Sequence, residues 1–238
     1  MTIFFISDLH LSEKSPNSYK LFVNFFNSMP HDTQAVYILG DLFESWVGDN
    51  LNTEFISNVK NILATASNKI PIYFIRGNRD FLIGTRFAKE TKVTILPDFY
   101  KVNLYGHNLL LVHGDYLCTL DKRHHYFSKI IRHPIVICIA NILTIKLKLF
   151  IAEKLRKTSK DRYKTNKNPK IYDVCQSTIE QVAEKYSTDI LIHGHTHKPN
   201  IHNFIINNKN ITRIVLGSWE ETAQILKFEQ NGYKLETI

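Results

Sequence analysis

The 238-residue chain is 44% hydrophobic and 12% aromatic, enough to build a packed core and to exclude a disordered or low-complexity polymer. Its net charge of +8 is unevenly placed: 14 Lys and Arg against three acids lie between Leu120 and Lys170, while the rest, with 16 bases and 19 acids, is close to neutral. The three cysteines, Cys118, Cys138 and Cys175, include no C-x-x-C pair, which excludes a disulfide framework and a zinc ribbon and reads as buried thiols in a reducing compartment.

Residues 2–6 form an apolar run that enters Ser7-Asp8-Leu9-His10 without a basic n-region, so a first strand is predicted rather than a signal peptide, and a cytoplasmic protein. Leu21, Phe22, Phe25 and Phe26 recur at helical spacing and predict a covering helix over 18–29. A buried strand over 35–39 follows and stops on Gly40-Asp41. The loop over 42–50, with Trp46 and Gly48, is expected to form one wall of a site before a helix over about 53–66. The next strand, 70–75, ends at Gly77-Asn78-Arg79-Asp80, where Asp80 is expected to cap a helix carrying Phe81, Leu82, Phe87 and Ala88 inward. Strand, loop and helix in repetition predict a layered α/β body.

From Val93 the pattern changes to short strands over 93–96, 99–104 and 109–112, read as the start of a second sheet. A basic insertion over about 120–170 follows, with helices predicted over 121–132 and 134–157 and a loop over 158–170. The apolar run from Pro134 to Ile145 ends at Lys146 and Lys148 and falls short of the ~20 residues a bilayer span requires. A helix over about 172–186 leads to a strand ending at His193, and strands near 201–206, 211–216, 223–228 and 233–236 are expected to close the second sheet. No linker of domain length interrupts the chain, so one domain over 1–238 with a capping insertion is expected.

The strand ends share a chemistry. They deliver Asp8 and His10, Asp41, Asn78 and Asp80, His113 and Asp115, and His193, His195 and His197. In open α/β sheets the ligand crevice lies beyond the carboxyl ends of the strands, so these groups are presented to a site. Aspartate, asparagine and histidine without a thiolate suit a pair of borderline-hard divalent ions. A single Gly-Asp or histidine is more often a turn or a packed side chain, and His31, His107, His133 and His202 are read that way; His193 reads as packing beside the site.

Taken together, Asp8-x-His10, Gly40-Asp41, Gly77-Asn78, His113 and Gly194-His195-x-His197 resemble the calcineurin-like metallophosphoesterases. The resemblance implies a sandwich of two mixed β-sheets flanked by helices. It places Asp8, His10, Asp41 and His197 on one metal and Asp41, Asn78, His113 and His195 on the other, with Asp41 bridging. A two-metal site, whose ions stand ~3.5–4 Å apart, needs such a shared anionic ligand and usually a shared water of lowered pKa.

Where many members carry a histidine after Gly-Asn, this chain has Arg79. Arginine cannot protonate a leaving group, but it can hold phosphate oxygens bidentately, which favours a leaving group that needs no acid and points to a pyrophosphate bond. With Cys118-Thr119, the helical insertion and Gly217-Ser218-Trp219, the motifs resemble the branch that hydrolyses UDP-2,3-diacylglucosamine in lipid A biosynthesis. That resemblance implies cleavage to UMP and 2,3-diacylglucosamine 1-phosphate by attack of a metal-bound hydroxide on the α-phosphorus. It also implies two Mn²⁺ per chain and a peripheral position on the cytoplasmic face of the inner membrane. The catalytic set is then Asp41, Asn78, Arg79 and His113, and the substrate contacts are Asn78, Arg79, Asp121, Ser159, Lys167 and His195. Tyr163 or Lys164 takes the place of the branch's loop asparagine, and His124 replaces an aromatic usually found after the acid.

The insertion reads as a lid, with Ile135, Ile139, Ile142 and Leu149 on one side of a helix and Lys146, Lys148, Lys154, Arg156 and Lys157 gathered towards its end to meet an anionic lipid surface. The same stripe could instead pack the lid helices together. Other readings are a dinuclear metallophosphoesterase acting on a dinucleotide, phosphoprotein or nucleic acid, and a metal-free scaffold of the same fold. The apolar run over 135–143 argues against a nucleic-acid channel, and no obligate protein partner is expected.

Overall fold

A computed structural model describes residues 1–165 and 172–238. In chain order, β1 (Thr2–Ile6), α1 (Pro16–Asn27), β2 (Thr33–Leu39), α2 (Glu54–Ser67), β3 (Ile72–Ile75), α3 (Thr85–Thr91) and β4 (Thr94–Ile95) make the first run. The hairpin β5 (Phe99–Leu104) and β6 (His107–Val112) leads to α4 (Lys122–Ile131), α5 (Pro134–Ile142) and α6 (Ile145–Thr165). Then come α7 (Gln176–Tyr186), β7 (Ile190–His193), β8 (Asn200–Ile206), β9 (Lys209–Val215), β10 (Gln224–Glu229) and β11 (Gly232–Thr237).

Two mixed sheets, ordered β11-β10-β1-β2-β3-β4 and β5-β6-β7-β9-β8, stack face to face. Side chains alternate across a strand, so each central strand feeds two cores. Ile3, Phe5, Tyr37 and Leu39 meet Leu109, Leu111, Ile192 and Ile214 between the sheets. Phe4, Ile6, Val36, Ile38 and Phe74 turn outward onto Phe22, Phe25, Val59 and Leu63 of α1 and α2. On the far side, Leu110, Val112 and Leu191 pack on Ile179 of α7.

Sheet membership departs from the sequence reading at both ends. β4 pairs with β3 through Tyr73↔Thr94, so the second sheet starts at β5. β10 and β11 join the first sheet, where β10 runs antiparallel to β1 with Ile3 opposite Phe228. The physical reason is burial on two sides: Ile225 enters the core under the helices while Leu226 and Phe228 enter the one between the sheets, which suits a strand beside the central β1. Alternation shows which faces are covered, not which neighbour covers the edge.

The insertion also departs from expectation, since the helix predicted over 134–157 is two helices. Leu143 adopts an extended backbone and the Thr144 hydroxyl accepts from Leu147 N at 3.4 Å, ending α5 and starting α6 afresh. The loop expected over 158–170 is helical as far as Thr165, as Lys- and Arg-rich segments readily are. Cys138 and the α5 side chains Ile135, Ile139 and Ile142 are exposed, contrary to the reading of all cysteines as buried. Lys148, assigned to the outward basic cluster, is buried, with Nζ close over Gly48. Arg132, just beyond α4, anchors the segment to the body: Nη2 donates to Asp115 Oδ2 at 2.8 Å and the guanidinium stacks 4.7 Å from the Tyr116 ring. No helix of the described residues is long and apolar enough to cross a membrane.

Candidate metal centre

The loops that leave β1, β2, β3, β6 and β7 meet beyond one end of the sandwich, and backbone hydrogen bonds stitch them together. Asp8 N donates to Gly40 O at 3.1 Å, His10 N to Asp41 O at 3.0 Å and Gly194 N to His113 O at 2.8 Å. Close approach is built in at two glycines. A Cβ on Gly77 would overlap the Asp41 carboxylate and backbone nitrogen, and one on Gly194 would overlap Ser7 Oγ and Asp8 Oδ2.

The side chains converge in two adjoining groups. In the first, Asp8 Oδ1 lies 3.3 Å from His197 Nε2 and 3.8 Å from His10 Nε2, and the two imidazole nitrogens are 3.2 Å apart. In the second, His113 Nε2 lies 3.0 Å from Asn78 Oδ1 and 3.6 Å from Asp41 Oδ1. Asp41 reaches towards both, since its Oδ2 is 3.9 Å from His10 Nε2. Asp8 belongs geometrically to both as well: its ligand atom, with those of Asp41 and His113, lies within 4.8 Å. His195 stands over the second group, its ring 5.1 Å from that of His113 and its backbone N donating to Asp8 Oδ2 at 2.8 Å.

The donor set fits divalent cations. His113 Nδ1 lies 2.8 Å from Leu39 O, which can only accept, so Nδ1 carries the proton and Nε2 turns its lone pair towards two further oxygens. Asp8 Oδ1 is buried and, among the described residues, makes no well-formed hydrogen bond. Lone pairs this close repel one another unless a cation stands among them, and nitrogen and oxygen donors without sulfur suit a divalent ion of hard or borderline character.

Electrostatics favours positive charge at the same place. Burial alone would lower His10, but the Glu44 carboxylate beside Nδ1 and the Asp41 and Asp8 charges lift it to about 9. His113 is raised too, the charges of Asp41, Asp8 and Asp115 outweighing burial. Burial pushes Asp8 up, yet His197 and the neighbouring imidazoles hold it well below the usual carboxylate range. Asp80, buried and facing the Asp41 charge, rises to about 7.

The backbone is strained at five of the candidate ligands. Asp8, His10, Asp41, His195 and His197 all have φ between 48° and 68°, the left-handed region that side chains other than glycine enter at a cost. Such residues gather at functional sites because surrounding structure holds them there.

Several sequence expectations need correction. Trp46 is fully packed against Phe43 and Phe87 rather than walling the site, though its backbone N holds Arg79 O at 3.0 Å. Asp80 does not cap a helix: its carboxylate accepts from Leu42 N and Gly77 N, both at 2.7 Å, and so joins two of the ligand-bearing loops. The α3 terminus is served instead by Asp49, which accepts from Gly84 N and Phe87 N at 3.0 Å. His193, by contrast, is the packing residue the sequence suggests: it is buried, with Nδ1 2.9 Å from Gly194 O, and burial first and Arg213 next lower it to about 4.

Arg79 is half-buried beside Asn78, and its backbone N donates to Asp41 Oδ1 at 2.8 Å. Asp121 stands immediately before α4. Ser159 and Lys164 lie on the α6 backbone, and their side chains, like all of Lys167, lie outside the described residues. Sequence reasoning missed Glu44, whose Oε2 lies 3.1 Å from His10 Nδ1. One acid in a loop carries no periodic signal.

The profile of the family described as calcineurin-like phosphoesterase matches residues 1–199. A Histophilus somni (strain 129Pt) protein named UDP-2,3-diacylglucosamine hydrolase is 44% identical over 232 residues, covering 97% of this chain and 97% of its own. Proteins of the same name from Vibrio vulnificus (strain YJ016) and Coxiella burnetii (strain RSA 331 / Henzerling II) are 40% and 41% identical. They cover 99% and 96% of this chain, and 97% and 93% of their own.

Proposed function

The chain belongs to the calcineurin-like phosphoesterases, and from that premise we propose that it hydrolyses the pyrophosphate bond of UDP-2,3-diacylglucosamine to UMP and 2,3-diacylglucosamine 1-phosphate in lipid A biosynthesis. The observation that carries this reading is the identity of 40–44% over nearly full length to hydrolases named for that substrate. The convergence of lone-pair donors in a fold of this family supports metal-dependent hydrolysis and disfavours a metal-free scaffold.

Asp8, His10, Asp41 and His197 would hold one ion and Asp41, Asn78, His113 and His195 the other. Two such ions, Mn²⁺ in this reading, would polarise phosphoryl oxygens and lower the pKa of a water between them. Arg79 binds phosphate oxygens and neutralises charge as it develops in the transition state. It donates no proton, because the departing sugar phosphate needs none. Asn78 and His195 orient the pyrophosphate, and Asp121, Ser159, Lys164 and Lys167 contact the rest of the substrate.

The segment over 120–170 serves, in this reading, as a helical lid on a single domain. Its exposed Ile135, Ile139 and Ile142 clasp acyl chains, while Lys146, Lys154 and Lys157, also exposed, meet the anionic cytoplasmic face of the inner membrane. No nucleic acid and no obligate protein partner is required.

The test offers purified protein, with Mn²⁺, UDP-2,3-diacylglucosamine, bis(p-nitrophenyl) phosphate and a dinucleoside polyphosphate side by side. Strong preference for the first, with UMP as product, is expected, and preference for either of the others overturns the substrate. In ¹⁸O-water the label should enter UMP; label in the sugar 1-phosphate would place attack on the other phosphorus.

A further inference from the structure

We infer that Glu44 is a positioning residue for the candidate metal centre, holding the His10 imidazole through Nδ1 so that Nε2 faces Asp8 and His197. The inference rests on the two-ion reading above and adds a residue to it. Its basis is how the first two ligand loops are zipped. His10 N donates to Asp41 O at 3.0 Å, Leu11 N to Leu42 O at 2.9 Å and Glu44 N to Leu11 O at 3.1 Å, and Leu11 pairs with Phe43 as a short parallel bridge. This stitching carries the Glu44 side chain back beside the His10 ring.

The two edges of that ring have different neighbours. Nε2 looks into the cluster, 3.2 Å from His197 Nε2, 3.8 Å from Asp8 Oδ1 and 3.9 Å from Asp41 Oδ2. Nδ1 looks away from it, 3.1 Å from Glu44 Oε2. A coordinating imidazole spends the lone pair of one nitrogen and needs an acceptor for the proton on the other. A carboxylate there fixes the tautomer and the ring plane and makes the ligand more basic. Glu44 lies outside both converging groups, so its part is to orient and not to ligate.

The second half of the centre provides a comparison within the same molecule. There the Leu39 carbonyl, 2.8 Å from His113 Nδ1, plays the corresponding part, but it is a neutral backbone acceptor fixed by β2. The Glu44 acceptor is charged, and its side chain is 28% exposed at the rim. One imidazole is therefore oriented by the fold itself and the other by a side chain that can be replaced without touching a ligand.

The experiment titrates Co²⁺ into the metal-free full-length chain by calorimetry and follows the visible absorption of the bound ion, for wild type, Glu44→Gln and Glu44→Ala. In Glu44→Ala one of two binding events should weaken by about 10–100-fold, the range for loss of such an outer partner. The absorption bands of that ion should shift while the other event keeps its affinity. Glu44→Gln, which keeps an acceptor oxygen without the charge, should fall between. Two events of wild-type affinity and unchanged spectra in Glu44→Ala overturn the inference. So does equal weakening of both events together with a lowered melting temperature of the metal-free protein, which would mark Glu44 as a loop support. Wild-type protein that takes up no Co²⁺ would instead remove the two-ion reading itself.

Discussion

At the scale of single residues, the site is held by contacts that make each ligand's position depend on its neighbours. Asp41 faces His10 with one oxygen and His113 with the other, so on the proposed two-ion reading Asp41→Ala should release both ions and lower turnover by about 10³-fold or more, as loss of a principal electrostatic stabiliser does. Metal analysis of the purified variant checks this; two retained ions with near-normal turnover would contradict it. The left-handed backbone makes a separate prediction. At His197, where φ is 55°, glycine avoids the steric cost that alanine retains. Both His197→Gly and His197→Ala remove the candidate ligand, but in metal-free protein the glycine variant should be the more stable by about 1 kcal/mol in denaturant titration. Equal stabilities would mean the loop carries no strain there. The candidate ligands were legible in the sequence because each follows an apolar strand run. Glu44 and the true part of Asp80 were not, since both depend on which loops lie side by side, and the spacing of Asp80 before a helix suggested a cap that Asp49 supplies from 35 residues away.

Among the elements, the strands were easier to read than the helices of the insertion. A strand covered on both sides must be apolar throughout, whereas the break at Leu143-Thr144 interrupts a continuous apolar run and rests on one hydroxyl and one extended residue. Strand starts also show where charge steadies the sheet. Asp189, just before β7, accepts from Asn108 N at 2.9 Å and pairs with Lys209 at 2.6 Å. Burial raises its carboxyl, but these partners prevail and hold it below the ordinary value. A folded-state pKa below the unfolded value of ~3.9 means a stabilisation present above that value and lost as the pH falls through the folded pKa. Asp189→Asn should therefore cost on the order of 1 kcal/mol at pH 7, and the gap to wild type should close in more acidic buffer. A gap that persists unchanged at low pH would show that charge is not its source. For the insertion, Lys146→Ala, Lys154→Ala and Lys157→Ala should each weaken binding to anionic vesicles by about 1 kcal/mol, an effect that salt reduces. Ile139→Asp and Ile142→Asp should erase discrimination between long- and short-chain substrates. Salt-insensitive or absent vesicle binding sinks the membrane contact, and intact discrimination sinks the clasp.

Over the whole molecule, a layered α/β body with a second sheet was foreseen from strand and helix order and the sandwich from the family resemblance, while the partners of the last two strands were not. β10 reads locally as one more strand after β9, and only the need to cover β1 on its open side sends it back to the first sheet. That return has a consequence in time as well as in space. β1 is synthesised well before β10, yet Thr2 pairs with Glu229, and at ~5–20 residues per second some tens of seconds of synthesis separate them. Until β10 arrives, a strand that is apolar from Ile3 to Ile6 presents an unpaired edge, the kind of surface on which nascent chains stick to one another. The candidate ligand set is likewise incomplete until His197 has been made, so fragments that stop short of it should be both metal-poor and prone to aggregate.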